Sequence, residues 1–82
     1  MNYVYLLESL DDERVRYIGS TSDLKRRFEE HNGGRGAKST QRRKWKLLYY
    51  EAYETLEMAR KRERQLKLRR GSLRAIYTRL GL

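Results

Sequence analysis

The run YVYLL, residues 3–7, is apolar on both of its alternating faces, with Tyr3, Tyr5 and Leu7 on one and Val4 and Leu6 on the other. Successive side chains of a strand point to opposite sides, so residues 2–8 read as a strand buried on both faces, and any fold of this chain must cover both. The material for that cover is limited. The chain has 82 residues, and a domain near this size buries only somewhat more than about 60% of its unfolded surface, which predicts one domain over residues 1–82 with room for one site. SLDDE marks a turn, and residues 14–20 (RVRYIGS) return as a second strand, making an antiparallel hairpin. Ser22 or Asp23 caps a helix running to about residue 31, with Gly33 as its left-handed C-terminal residue. Residues 33–44 (GGRGAKSTQRRK) have no periodicity, three glycines and five basic side chains, and read as a mobile loop that touches phosphate. Residues 45–53 (WKLLYYEAY) are a third strand. Thr55 caps a long helix to about residue 70, Gly71 stops it, and Ser72 opens a last helix with Leu73, Ile76, Tyr77 and Leu80 on one face. The expected fold is α/β in the α+β sense: β-β-α-β-α-α, a mostly antiparallel three-stranded sheet flanked by helices.

With 20 Lys and Arg against 11 Asp and Glu, the formal net charge is +9. Such a surplus favours polyanions, and phosphate neutralisation supplies most of the sequence-independent affinity for nucleic acid. An acidic membrane fits less well, because no basic helix has a strongly apolar opposite face flanked by Trp or Phe. The absence of cysteine fits a reducing cytosol and excludes Cys-ligated zinc. Neither an apolar run near the ~20 residues of a membrane span nor a signal peptide is readable, so the chain reads as soluble and cytoplasmic. Glycine spacing excludes a phosphate-binding P-loop, and no Ser/His/Asp or Cys/His set assembles around the one histidine.

At about 100° per residue, Leu24 and Phe28 define the apolar stripe of the first helix, and His31 falls about 20° from Leu24, facing inward. Arg27 borders the core on the same side, while Arg26 points nearly opposite. A lone inward histidine is often a satisfied core residue, and a border arginine often lies over apolar side chains. The second helix adds a sharper signal. Its stripe runs Leu56, Ala59, Glu63, Leu66, which sets a carboxylate in the face that should be buried, where it must be paired, protonated or bound to a metal. Lys67, four residues on, offers an ion pair; a hydrated Mg²⁺ or Mn²⁺, needing only one or two carboxylates, offers the other explanation. Tyr5 and Tyr17 sit on the two arms of the hairpin, where cross-strand pairing can bring both rings to one face. Tyr3, Tyr49, Tyr50, Tyr53 and Tyr77 read as strand formers and core filler. Gly19 permits either a close approach of backbone to a ligand or a turn.

YVY at 3–5, YIG at 17–19, DLKRRFEEH at 23–31 and YEAYETLEMARKRERQLK at 50–67 together resemble the GIY-YIG nuclease superfamily, in particular its small stand-alone bacterial members related to the nuclease domain of the excision-repair subunit UvrC. The resemblance covers nearly the whole chain. It implies an endonuclease that depends on Mg²⁺ or Mn²⁺ and hydrolyses DNA phosphodiester bonds in repair or recombination. Residue by residue, Tyr5 takes the place of the first motif's tyrosine and Tyr17 the second's, Arg27 that of the catalytic arginine, His31 that of the helix histidine, and Glu63 that of the single metal-ligating carboxylate. Tyr3 and Val4 stand where Gly and Ile give the first motif its name, a change common in the small bacterial members. Some members carry a downstream Asn near the site; the only asparagines here are Asn2 and Asn32, and neither is given that role.

The chemistry so implied has Arg27 stabilising charge on the phosphoryl oxygens, Glu63 holding one hydrated ion, and Tyr17, or else Tyr5, as general base. His31 accepts the proton through Tyr17 or orients it. A reference pKa of about 10 for tyrosine makes a neighbouring cation necessary. Relatives usually carry an extra specificity domain, and with none readable here the expected partner is duplex, branched or single-stranded DNA recognised by shape, by a monomer or weak homodimer. Gly19, Arg35, Lys38, Arg42, Arg43 and Lys44 are the expected nucleic-acid contacts. A competing reading is a non-catalytic binding module that clamps phosphates with the same loop cations and stacks bases on Trp45 or a tyrosine; a third is a basic scaffold within a larger ribonucleoprotein. Neither explains an inward Glu63 beside an inward Arg27 and His31.

Overall fold

The computed structural model describes the backbone of residues 1–82 and every side chain except that of Ser39. The chain forms β1 (Asn2–Ser9), β2 (Arg16–Thr21), α1 (Leu24–Asn32), a 3₁₀ turn (Lys38–Thr40), β3 (Trp45–Tyr53), α2 (Leu56–Leu68) and α3 (Arg70–Arg79), the expected order of an α+β fold. β1 lies in the middle of a sheet ordered β2-β1-β3 and is antiparallel to both neighbours. That position explains its two apolar faces. Val4 and Leu6 pack with Ala59, Leu66 and Ile76 beneath α2 and α3, whereas Tyr5, Leu7 and Trp45 pack with Tyr17, Leu24 and Phe28 beneath α1. Side chains buried as fully as Leu66 and Ile76 contribute about 1.5–3 kcal/mol each. In the pairing of β1 with β3, Leu6 faces Tyr49 and Leu7 faces Leu47, so Leu48 is an extra residue in a bulge that brings Leu47 and Tyr50 to the same face.

Asp23 rather than Ser22 caps α1, its carboxylate accepting the Arg26 N–H at 3.1 Å. Gly33, expected to be left-handed, has φ −86°, and the positive φ falls at Gly34 (76°). The boundary between the last two helices also differs from expectation. Arg69 alone is extended (φ −115°, ψ 98°), and Gly71 lies inside α3; one extended residue turns the chain enough for Leu66 and Ile76 to enter the same core. Leu80 ends that helix exposed. Residues 33–44 are more than a loop, because the 3₁₀ turn buries Thr40 completely and the Trp45 indole N–H donates to the Thr40 carbonyl at 3.0 Å. Asn32 clamps the end of α1 to the start of β3, accepting the Trp45 N–H at 2.6 Å and donating to the Trp45 carbonyl at 3.1 Å.

Candidate active site

Pairing sets Tyr5 opposite Gly19 and Leu7 opposite Tyr17, so the two tyrosines are diagonal neighbours on the α1 side of the sheet, ring centroids 6.3 Å apart. Gly19 is buried beneath them. A Cβ there would collide with the Tyr5 hydroxyl, lie 2.6 Å from the ring carbon bearing it and 3.1 Å from the Tyr17 ring. The glycine therefore makes room for Tyr5; its place is internal rather than on a surface that nucleic acid reaches.

His31 is fully buried, as its inward position predicts. Thr40 Oγ1 donates to the Ala37 carbonyl (2.8 Å), which leaves its oxygen to accept from His31 Nδ1 (2.7 Å), so Nε2 carries the lone pair and accepts the Tyr5 hydroxyl (2.8 Å). The result is a one-directional chain of hydrogen bonds, Tyr5 to His31 to Thr40 to backbone. Gly36 belongs to it by size, since a Cβ there would strike the imidazole and come within 2.8 Å of Thr40 Oγ1. The histidine thus hydrogen-bonds Tyr5, while the Tyr17 ring only packs against it, centroids 5.0 Å apart and planes tilted by 60°; proton acceptance through Tyr17 has no hydrogen bond behind it.

Burial first, then the neighbouring Tyr17 and Glu63, push the Tyr5 phenol up to about 12 against the opposing Arg27 guanidinium beside it. Burial and then the Arg27 charge hold the His31 imidazole below its ordinary value, with Glu30 acting the other way. Since histidine in an unfolded chain titrates near 6.5, the unfolded state binds this proton first as pH falls, and stability declines through that range. The depressed carboxylates Glu8, Asp11 and Glu51 titrate lower, outside it. Urea unfolding at about pH 7.5 and about pH 5.5 is expected to show a lower midpoint at the acid value for wild type and a smaller difference for His31→Gln. Equal wild-type midpoints would mean that His31 is not held neutral.

Arg27 is about one-third exposed and donates to Glu30 at 3.1 Å. Burial lowers its pKa, but the hydrogen bond to Glu30 and then the neighbouring Tyr5 outweigh this and keep the guanidinium charged. Glu63 departs from the expectation of full burial. Ala59 and Leu66 on either side of it are buried, but β2 is an edge strand and the carboxylate reaches its rim, where Ser20 Oγ donates to Oε1 (2.5 Å) and Lys67 Nζ to Oε2 (2.6 Å). The side chain stays 21% exposed, so the ion pair satisfies it while solvent still reaches it. Ser20 has no part in the sequence reading. Its signal lies in alternation: the residue after Gly19 points to the α2 side.

Of the expected loop contacts, Arg35, Lys38 and Arg42 are exposed. Arg43 instead bridges Asp11 (2.6 Å) and Glu13 (3.2 Å), and Lys44 donates to the Asn32 carbonyl at 2.6 Å. Trp45 is buried and cannot stack a base, whereas Tyr50, read as core filler, is 52% exposed. Most of the charge surplus lies elsewhere. Residues 56–82 hold nine of the 20 Lys and Arg but only two of the 11 Asp and Glu. Arg62 pairs with Glu51 and Lys67 with Glu63; Arg60, Lys61, Arg64, Arg69, Arg70, Arg74 and Arg79 are exposed without an ion pair among the described residues.

The structure thus carries a tyrosine on each arm of a hairpin, an arginine and a histidine on the helix after it, and a carboxylate on a later helix. Residues 1–76 match the model of the GIY-YIG catalytic domain, and the chain belongs to the GIY-YIG family, whose members are generally nucleases that act on DNA with divalent metal ions. UPF0213 proteins of several Streptococcus pyogenes serotypes are 44% identical to it over 69 residues, 83% of this chain and 73% of theirs. The solution NMR structure of the UPF0213 protein BH0048 from Bacillus halodurans is similar at 34% identity and a TM-score of 0.57, over 99% of this chain and 88% of that one. Among the described residues, no helix is long and apolar enough to cross a membrane.

Proposed function

We propose that this protein is a cytoplasmic endonuclease of DNA repair or recombination, a single catalytic domain over residues 1–82 that cuts DNA with one hydrated Mg²⁺ or Mn²⁺ held at Glu63. What supports the reading is an arrangement about one edge strand: Tyr5, Tyr17 and Arg27 lie on the α1 side of the sheet, and the partly exposed Glu63 carboxylate reaches the rim of β2 from the α2 side, where Ser20 holds it. Among the described residues no three His, Cys, Asp or Glu side chains form a metal cluster. A lone, partly exposed carboxylate suits a divalent ion that keeps most of its water. When bound, such an ion supplies Lewis-acid assistance to the phosphoryl and leaving oxygens.

The chain's own groups supply the rest. Arg27, steered by Glu30, presents a charged fork to the phosphoryl oxygens, a role in which one preorganised donor contributes about 3 kcal/mol. Tyr17, once its own phenolic proton has passed to solvent beside the bound cation and Arg27, takes the proton of the attacking water, for its hydroxyl has no partner among the described residues and its ring is part-buried. Tyr5 and His31 are positioning residues, since the raised phenol and the depressed imidazole both resist taking up that role. The exposed cations of α2 and α3 supply phosphate contacts along the duplex, with Arg35, Lys38 and Arg42 as a second set. Under the binding-module reading, Glu63 is instead a structural ion pair with Lys67.

Cleavage of end-labelled duplex, single-stranded, flap and four-way-junction DNA at low salt, with Mg²⁺, Mn²⁺ or EDTA, tests the reading. Metal-dependent cutting is expected, with Lys67→Met reaching half-maximal rate at lower Mg²⁺ because it frees one carboxylate oxygen and removes a repelling charge. Tight, salt-sensitive binding with no cutting on any substrate or metal would hand the molecule to the binding-module reading.

A further inference from the structure

α1 is too short to cover its side of the sheet. Its nine residues span about 14 Å, and the β3 half is left open as a cleft of about 480 Å³ between the first turn of the helix and the strand. Tyr3, Leu24, Phe28, Leu47 and Tyr50 wall it, and Lys25 and Asp23 stand at its rim. Tyr3 meets Tyr50 edge to face (5.9 Å, 67°), yet Tyr50 remains 52% and Leu47 37% exposed. Two large apolar side chains are thus left part-open side by side in one cleft.

Charge narrows the choice of occupant. The first turn of α1 has no acidic residue and carries Lys25, Arg26 and Arg27, although the positive end of the helix dipole favours anions there. Asp23 is engaged with the Arg26 N–H and Arg27 with Glu30, whereas Lys25 and Arg26 are exposed without an ion pair among the described residues. Cations at the positive end of a helix are unfavourable unless an anion lies against them. Aromatic walls beside an unneutralised cation are the recognition chemistry of a nucleotide, base on ring and phosphate on ammonium. Position ties the cleft to the candidate site: Tyr50 stands directly across from Tyr5, and Tyr3 lies two residues before Tyr5 on the same face, about 7 Å along the strand.

We infer that the cleft between α1 and β3 holds one unstacked nucleotide of the DNA cut at the Tyr5, Tyr17 and Arg27 cluster, its base against Tyr3, Tyr50 and Phe28 and its phosphate at Lys25. The inference rests on the nuclease reading and names its substrate class, DNA with an unpaired nucleotide next to the cut. Stacking on aromatic rings tolerates every base, so selection is by structure rather than by sequence.

Binding is measured in EDTA, so that nothing is cut, to a duplex bearing one unpaired nucleotide and to the matched continuous duplex. Wild type is expected to prefer the first. Tyr50→Ala should lose roughly 5- to 100-fold of affinity for it, with continuous-duplex binding unchanged, and Tyr50→Phe should keep it. Tyr50 is exposed, so these variants fold. No wild-type preference, or a preference that Tyr50→Ala retains, overturns the inference; if the same wild-type protein cuts DNA with Mg²⁺, the nuclease reading survives that loss. A Tyr50-dependent preference in a protein that cuts nothing keeps the nucleotide site and removes the nuclease. A homodimer in sedimentation that Tyr50→Ala dissolves assigns the cleft to a second copy and also overturns the inference.

Discussion

Glu63→Gln is expected to lower metal-dependent cleavage by at least about 10³-fold while DNA affinity stays within a few-fold of wild type, because affinity resides in the many phosphate-contacting cations. The substitution keeps the shape of the side chain and an acceptor for Ser20 Oγ, and removes only the charge. Loss of the pair with Lys67 is a small structural cost, about 0.3–0.5 kcal/mol for an i, i+4 pair with one partner about half exposed, so a loss of rate is not a loss of fold. Arg27→Ala should act on the same step by a different route. Its guanidinium has no other ion-pair partner than Glu30 among the described residues, and its removal should lower single-turnover cleavage about 10²- to 10³-fold. Retention of cleavage within about tenfold by Glu63→Gln would mean that the carboxylate holds no ion. Glu63 would then be a structural member of the Ser20 and Lys67 cluster.

What could be read in the chain before its structure was what depends on local periodicity. The two apolar faces of residues 3–7 called for a strand between two layers, and the helix angles of Arg27, His31 and Glu63 put all three toward the sheet. What could not be read depends on long-range register and on small residues. The diagonal pairing of Tyr5 with Tyr17 follows from the turn between β1 and β2, and a shift by one residue would send Tyr17 to the other face. The bulge at Leu48 leaves no compositional trace, yet it aligns Leu47 with Tyr50. Thr40 sits in a glycine-rich, basic stretch that looks like solvent-exposed loop, and only the fold shows it buried against His31. The same blindness applies to charge. Loop cations stand out because no periodicity explains them, while those of α2 and α3 lie on the polar faces any surface helix has, although residues 56–82 hold most of the excess.

The second large effect is expected at Gly19, from one added methyl group. Gly19→Ala should destabilise the fold by about 1–3 kcal/mol through overpacking and reduce cleavage on the order of 10²-fold, the loss that follows when a reacting geometry is displaced by about 1 Å. The backbone at Gly19 is not left-handed, so alanine meets no conformational penalty there. At such a position the ordinary effect of Gly→Ala is a gain of about 0.4–1 kcal/mol from a less flexible unfolded chain. The sign of the change is therefore diagnostic. The new Cβ falls on the Tyr5 hydroxyl and the ring carbon that bears it, and Tyr5 cannot retreat, because its hydroxyl is tied to His31, which Thr40 holds in turn. Tyr5→Phe in the same background removes the oxygen and should recover part of the stability, though none of the activity if the phenol is needed to position Tyr17 and Arg27. Urea midpoints and single-turnover rates of the two single variants and the double variant decide it. A stabilised Gly19→Ala protein would mean that Tyr5 does not lie against Gly19, and the chain of contacts from β2 through Tyr5 to His31 would have to be abandoned with it.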